Sequence, residues 1–221
     1  MKLLFNALSK FLLGVLLVGT LLFLPAGSFN YLHGWLFILV LFVPMLILGV
    51  VLFIKSPELL SRRLNTKEKE KTQMGVVGIC ALVFIAGFVV AGLDFRYGWS
   101  DMHVAATIVG AALFICSYAL YAEVMRENTY LLRTVDVEAG QKIIDTGLYG
   151  IVRHPMYSAT VVMFTSIPLI LGSWWAFICF VIYIPVIAVR ILNEEKVLKE
   201  SLAGYTDYIK KVKYRLIPFV W

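Results

Sequence analysis

Four stretches of this chain, residues 4–25, 33–54, 75–93 and 102–122, are predominantly apolar over the length a helix needs to cross a bilayer. About 20 residues, at about 1.5 Å each, span roughly 30 Å of hydrocarbon. A fifth stretch, 156–190, is too long for one span and short for two, and "LGSWW" at 171–175 interrupts it. This spacing predicts a helical hairpin whose tip places Trp174 and Trp175 at a membrane interface. Pro168 and Pro185 permit kinks in its two arms. The expected fold is an all-α integral membrane protein: about four transmembrane helices, a C-terminal helical hairpin, and five to six spans in all. Residues 1–122 would form the N-terminal membrane helices, and 123–221 a C-terminal cofactor-binding and catalytic region within one compact unit. Because further apolar segments follow, the first is expected to stay as a transmembrane helix and not to be a cleaved signal peptide.

Composition agrees. Hydrophobic residues make up 61% of the chain and charged ones 15%, against roughly 25% charged in soluble domains. The formal net charge of +6 fits positive flanks on cytoplasmic loops. No clustered basic face with aromatic platforms marks a nucleic-acid site. The three cysteines, Cys80, Cys116 and Cys179, lie in apolar stretches without metal or redox spacing. They read as buried small hydrophobes, and no metal is expected.

Charge also orients the chain. With the N-terminus, the 55–74 and 123–155 loops and the C-terminal tail on one side, Arg96 is the only one of the 20 Lys and Arg residues on the other. The positive-inside rule then makes the first side cytoplasmic. It also requires 156–190 to leave and return, as a hairpin does. The 55–74 loop is a charge run, expected to be a solvated linker or a short interfacial helix. The 123–155 loop has mixed character, with turn signals at "EAG" and "DTG" and an extended-looking "QKII". In the tail, Leu198, Leu202, Tyr205, Ile209 and Val212 recur at helical spacing. An amphipathic helix is expected there, lying on the membrane or folding back over the second loop, with Pro218 ending it.

Three polar clusters converge at one membrane face in this topology. They are Tyr149, Arg153, His154, Pro155 and Tyr157; Arg190, Asn193, Glu194 and Glu195; and the "GQKII" segment, 140–144. The first opens the hairpin and the second closes it, so distance in sequence becomes proximity in space. Pro155 or Met156 can open the hairpin helix, whose first turn offers backbone N–H donors. Arg190 and Glu194 stand four apart, on one helix face. Each taken alone also fits an interfacial anchor or a surface ion pair; together, at converging ends, they read as a site.

The stretches "GQKIIDTGLYGIVRHPMY" and "RILNEEKVL…YTDYIKKVKYRLIPF" resemble the isoprenylcysteine carboxyl methyltransferase family and its prokaryotic relatives, over about 100 residues from roughly 120 to the C-terminus. The resemblance implies a membrane methyltransferase that binds S-adenosylmethionine from the cytoplasm without a Rossmann domain. By position it implies that Gln141, Lys142, Ile143, Ile144, Tyr149, His154, Pro155, Met156, Tyr157 and Glu194 bind the cofactor. Arg153 is a candidate for the cofactor carboxylate. Arg190 is similar to the family's substrate-carboxylate arginine and is the expected catalytic residue. A lipophilic acceptor would enter from the bilayer; a carboxylate fits Arg190, and a phospholipid amine or a thiol are the alternatives. The short N-terminal region is similar to that of prokaryotic members and implies a bacterial or archaeal cell membrane, or the endoplasmic reticulum in a eukaryote. An NADPH-dependent sterol-reductase-like enzyme and a non-enzymatic membrane subunit are the competing readings.

Overall fold

A computed structural model describes residues 2–64, 71–128, 130 and 140–221. The predicted turn residues 138 and 139 and residues 65–70 of the charge run lie outside the described residues. Every apolar stretch is a helix: α1 (Lys2–Ala26), α2 (Leu32–Lys55), α4 (Lys71–Tyr97) and α5 (Val104–Glu127). A helix bonds every interior backbone group within itself, which is what a hydrocarbon environment demands. Between α2 and α4 lies the short α3 (Pro57–Leu64). Its proline sits where a helix needs no N–H donor, and Arg62 and Arg63 occupy its last turn, where cations suit the helix dipole.

The hairpin forms as α6 (Pro155–Leu171), α7 (Trp174–Val181) and α8 (Tyr183–Ser201). Gly172, in the left-handed conformation at φ 71°, ends α6, and the Ser173 hydroxyl caps α7 by accepting from the backbone of Ala176. The return arm is broken at Ile182. Pro185 explains the break: it cannot donate to the carbonyl of Val181, and its ring crowds that carbonyl. Among the described residues, five helical segments, counting α7 and α8 as one, are long and apolar enough to cross a membrane; α6 is a shorter apolar helix.

α5 and α6 form the most extensive helix pair, and α4 packs against α1, α7 and α8. Small residues let the backbones touch. A methyl group on Gly110 would meet the Leu169 side chain at 2.7 Å and the α6 backbone at 3.0 and 3.1 Å, and one on Gly92 would meet the Leu22 carbonyl at 2.5 Å. Close approach of this kind is how helices associate where lipid removes the hydrophobic drive. The core around these crossings is apolar and aromatic, including Leu22, Phe37, Phe88, Phe114, Ile170 and Phe180.

One end of the bundle is tied by a polar node. The buried Asp94 accepts from the Ser100 backbone at 2.7 Å, from its hydroxyl at 2.6 Å and from the Ser173 hydroxyl. Tyr31 donates to the Leu171 carbonyl at 2.7 Å. The three short connections predicted to share a side therefore do meet. Tyr97, Trp99, Trp174 and Trp175 are exposed around them, as an interfacial aromatic belt would be. Of the cysteines, Cys80 and Cys179 are half-buried, but Cys116 is exposed on α5. The expectation that all three are buried fails there, because the outer face of a membrane helix is as apolar as its inner face.

The amphipathic tail is divided. α8 ends at Ser201, Gly204 takes a left-handed conformation, and α9 (Tyr205–Lys211) follows. The predicted face nevertheless holds: Leu198, Leu202, Tyr205, Tyr208, Ile209 and Val212 pack together with Ile143 of the second loop. The tail thus folds back over that loop.

The Gly110 crossing gives a sign reversal to measure. Alanine is the better helix former by about 1 kcal/mol, so Gly78→Ala on α4, with open space around it, should hold or raise the melting temperature in detergent. Gly110→Ala should lower it, overpacking costing about 1–3 kcal/mol. Equal shifts in the two variants would contradict the crossing.

Candidate functional site

The site lies at the bundle end opposite Asp94, where the hairpin's two arms meet. A 3₁₀ turn, Gly147–Gly150, leads into it. Glu127, at the end of α5, accepts from the Leu148 backbone at 3.0 Å. Gly147 lies against that carboxylate with φ +54°, and a Cβ there would fall 1.8 Å from Glu127 Oε1. Only glycine fits. Tyr149 follows, buried, with its hydroxyl accepting from Asn128 at 3.0 Å and its carbonyl accepting from Tyr208 at 2.7 Å. Burial is the main cause that pushes the Tyr149 phenol up to about 12, so it stays protonated at neutral pH.

Residues 153 and 154 run beside the end of the tail: Arg153 donates its backbone N–H to the Tyr214 carbonyl and His154 to that of Arg215, both at 2.9 Å. His154 is the N-cap of α6 and Pro155 opens the helix. Ser158 fixes the junction by donating to the Leu216 carbonyl at 2.6 Å. The tail is thereby a wall of the site.

The two adjacent glutamates of α8 have different surroundings. Glu195 is the hub. It accepts from Arg153 Nε at 2.7 Å and from Arg215 Nε at 3.0 Å, and lies 3.3 Å from His154 Nε2. Arg153 also donates to the carbonyls of Val212 and Lys213, at 2.7 and 2.8 Å. The side chains of Arg153 and Glu195 are 3% and 4% exposed. Desolvation on that scale is recovered only when each polar atom is paired, and here the pairing ties α8, the start of α6 and the tail into one piece.

Glu194 is more open, its side chain 23% exposed. The Tyr157 hydroxyl donates to it at 2.5 Å and accepts from Arg190 Nε at 2.8 Å. Tyr157 therefore bridges the two α8 residues whose spacing placed them on one face. The Arg190 guanidinium also stands 5.9 Å from the centre of the Tyr157 ring, a cation–π distance. His154 stacks on the same ring at 5.8 Å and reaches Glu194 Oε1 at 4.0 Å. Gln73 of α4 donates to the Arg190 carbonyl at 3.3 Å.

Of the residues predicted from the sequence, Tyr149, Arg153, His154, Pro155, Met156, Tyr157, Arg190 and Glu194 stand along this seam. The Gln141–Ile144 segment sits against the tail through Ile143; Lys142 is exposed. In the sequence Glu195 stands in the cluster without a role, Arg215 is unmarked, and Tyr205 appears only as part of the apolar face of the tail. Tyr205 is buried, and its hydroxyl has no hydrogen-bond partner among the described residues. Burial foremost, with the charges of Glu195 and Glu194, raises its pKa well above the ordinary value. It is a protonated donor held without an acceptor. Its place in the helical repeat gave it away as apolar packing and concealed the hydroxyl.

Residues 105–203 match the family model described as phospholipid methyltransferase. The chain is also similar to a mouse Delta(14)-sterol reductase, at 29% identity over 94 residues. That stretch is 41% of this chain and spans 22% of the reductase. Among solved structures, the chain is similar to the eukaryotic intramembrane Ras methyltransferase, an isoprenylcysteine carboxyl methyltransferase, with a TM-score of 0.47 and 15% identity over 86% of this chain and 74% of the other.

The contrast between the glutamates is testable by stability alone. Glu195→Ala leaves Arg153 buried without its carboxylate and should cost about 3–5 kcal/mol. Glu194→Ala removes a partly solvated group and should cost far less. Thermal unfolding of both variants in the same detergent measures the difference, and matched melting temperatures would dismiss the hub.

Proposed function

We propose that the protein is a membrane-embedded, S-adenosylmethionine-dependent methyltransferase acting on a lipophilic acceptor, a reading supported by the match of residues 105–203 to the phospholipid methyltransferase family model. The observation that carries this reading is the Glu194–Tyr157–Arg190 relay at the meeting point of the hairpin arms. It puts an anion, a phenol and a cation side by side where apolar helices end.

The residues fit the cofactor. Adenosylmethionine has hydroxyls, ring nitrogens and a carboxylate that accept hydrogen bonds, and Tyr205 is a buried donor with no acceptor among the described residues. Glu194 keeps part of its carboxylate open for an ammonium or a ribose hydroxyl. The faces of Tyr157 and His154 tolerate a sulfonium. When bound, the cofactor supplies an electrophilic methyl group on sulfur. What the chain supplies is position and dryness. Tyr149, His154, Pro155 and Tyr157 are buried, so water is excluded from the line of an in-line displacement. We assign Tyr149, His154, Pro155, Met156, Tyr157, Glu194 and the Gln141–Ile144 segment to the cofactor. Arg153, whose guanidinium is engaged by Glu195 and two carbonyls, supports that wall.

The acceptor reading follows from Arg190. A carboxylate is ionised at neutral pH and needs no general base, but it needs a cation to hold it, and guanidinium pairs with it through two donors. Carboxyl O-methylation is therefore the favoured reaction. The match to the phospholipid methyltransferase model favours a second reading, a phospholipid amine, for which Glu194 beside Tyr157 is the group able to take the amine's proton. We place the site on the cytoplasmic side, from the distribution of Lys and Arg.

Titration of the detergent-purified protein with adenosylmethionine, adenosylhomocysteine and NADPH tests this. Binding of both sulfur compounds and not of NADPH is the expected result; no binding of either would overturn it. Tyr157→Phe and Glu194→Gln should each weaken adenosylhomocysteine binding about tenfold or more, the loss of a charge-assisted hydrogen bond. Arg190→Gln should depress turnover far more than this affinity. Equal loss of affinity in all three would invalidate the division of roles.

A further inference from the structure

We infer that Arg63, in the short helix between the second and third long helices, is a specificity-determining residue that receives the anionic head group of the acceptor; this rests on the methyltransferase reading. The family match begins at residue 105, and the 55–74 loop reads in sequence as a solvated linker or a short interfacial helix. Its first part forms the short helix α3, and one side of that helix is turned to the bundle.

Leu59 and Leu60 are buried and fasten α3 to the bundle. Lys10 of α1 holds its last carbonyl, at Leu64, at 2.5 Å. So anchored, α3 turns Arg63 inward. Its guanidinium donates to the Tyr121 hydroxyl on α5, lies 5.5 Å from the centre of that ring, and meets the Met156 sulfur of α6 at 3.9 Å. Met156 precedes Tyr157, so Arg63 and Arg190 reach consecutive residues of the same first turn. Two cations from opposite halves of the chain thus stand on two tyrosines, Arg63 on Tyr121 and Arg190 on Tyr157.

Their depths differ. Arg190 is 9% exposed and bonded to Tyr157, whereas Arg63 is half-buried at the rim. A head group arriving from the bilayer surface meets Arg63 before Arg190. From Tyr121 inward along α5 the side chains are aromatic: Tyr118 packs at 6.1 Å from Tyr121 and Phe114 at 6.4 Å from Tyr118. Guanidinium above aromatic rings matches an amphiphile with an anionic head and an apolar tail. A neutral head would gain nothing from it.

Binding of three probes to the full-length protein, saturated with adenosylhomocysteine in a non-ionic detergent, tests the assignment. The probes are hexadecanoate, hexadecyl phosphate and the neutral hexadecanamide. The wild-type protein should prefer the anions over the amide by about tenfold or more, and Arg63→Gln should remove most of that preference. Arg63→Lys should retain part of it. Because Arg63 touches Met156, adenosylhomocysteine is kept saturating for each variant, so that a change in its affinity does not enter the comparison of the probes. Preference for phosphate over carboxylate supports the anion site and moves the acceptor toward phospholipids. Absence of any preference in the wild type, or an unchanged preference in Arg63→Gln, overturns the proposal. Loss of adenosylhomocysteine binding in the wild type would instead remove the methyltransferase reading, while the charge preference remains readable without it.

Discussion

The site depends on one buried carboxylate. Glu195 stands at 4% side-chain exposure among Arg153, Arg215 and His154, and an ion in that position is stable only with its partners in place. The partners come from the start of α6 and from the tail after α9. Satisfying Glu195 therefore brings together three pieces of chain that share no helix. Once they are joined, Glu194, the next residue along α8, is directed to Tyr157 and the seam between the arms. One glutamate holds the framework and its neighbour is left open to bind.

Much of the fold was legible because lipid allows so few solutions. Span length and the interrupted run at 171–175 predicted the helices and the hairpin, since a backbone in hydrocarbon must bond to itself. Lys and Arg sorted the connections to two ends, and Asp94, Ser100 and Ser173 meet at one of them. The break at Ile182 was half visible: Pro185 announced a kink, but its effect falls at the residues preceding it, where the lost hydrogen bond lies. The divided tail was not visible, because Leu198 to Val212 keep helical phase across the Gly204 break and pack as one face regardless.

The candidate site was legible to the extent that the hairpin forces its ends together. Tyr157, Arg190 and Glu194 follow from that alone. What the sequence hid were the contributions whose partners are remote or whose chemistry is ambiguous. Arg215 reaches Glu195 only because the tail returns alongside residues 153 and 154. Tyr205 belongs to an apolar stripe by spacing and to the polar site by its hydroxyl. Arg63 sits in a run of charge that reads as solvent-facing, and only the burial of Leu59 and Leu60 turns it inward.

The node at Asp94 has a mechanical consequence. It fastens α4, the connection after it and the tip of the hairpin at the end away from Tyr157. α6, roughly 25 Å long for its 17 residues, is therefore held at both ends: at its tip through Ser173 and Asp94, and at its start through Ser158 and the Arg153–Glu195 pair. A helix pinned twice keeps its tilt, so the spacing of the hairpin arms at Tyr157 is set from the far end of the bundle as well as from the near one.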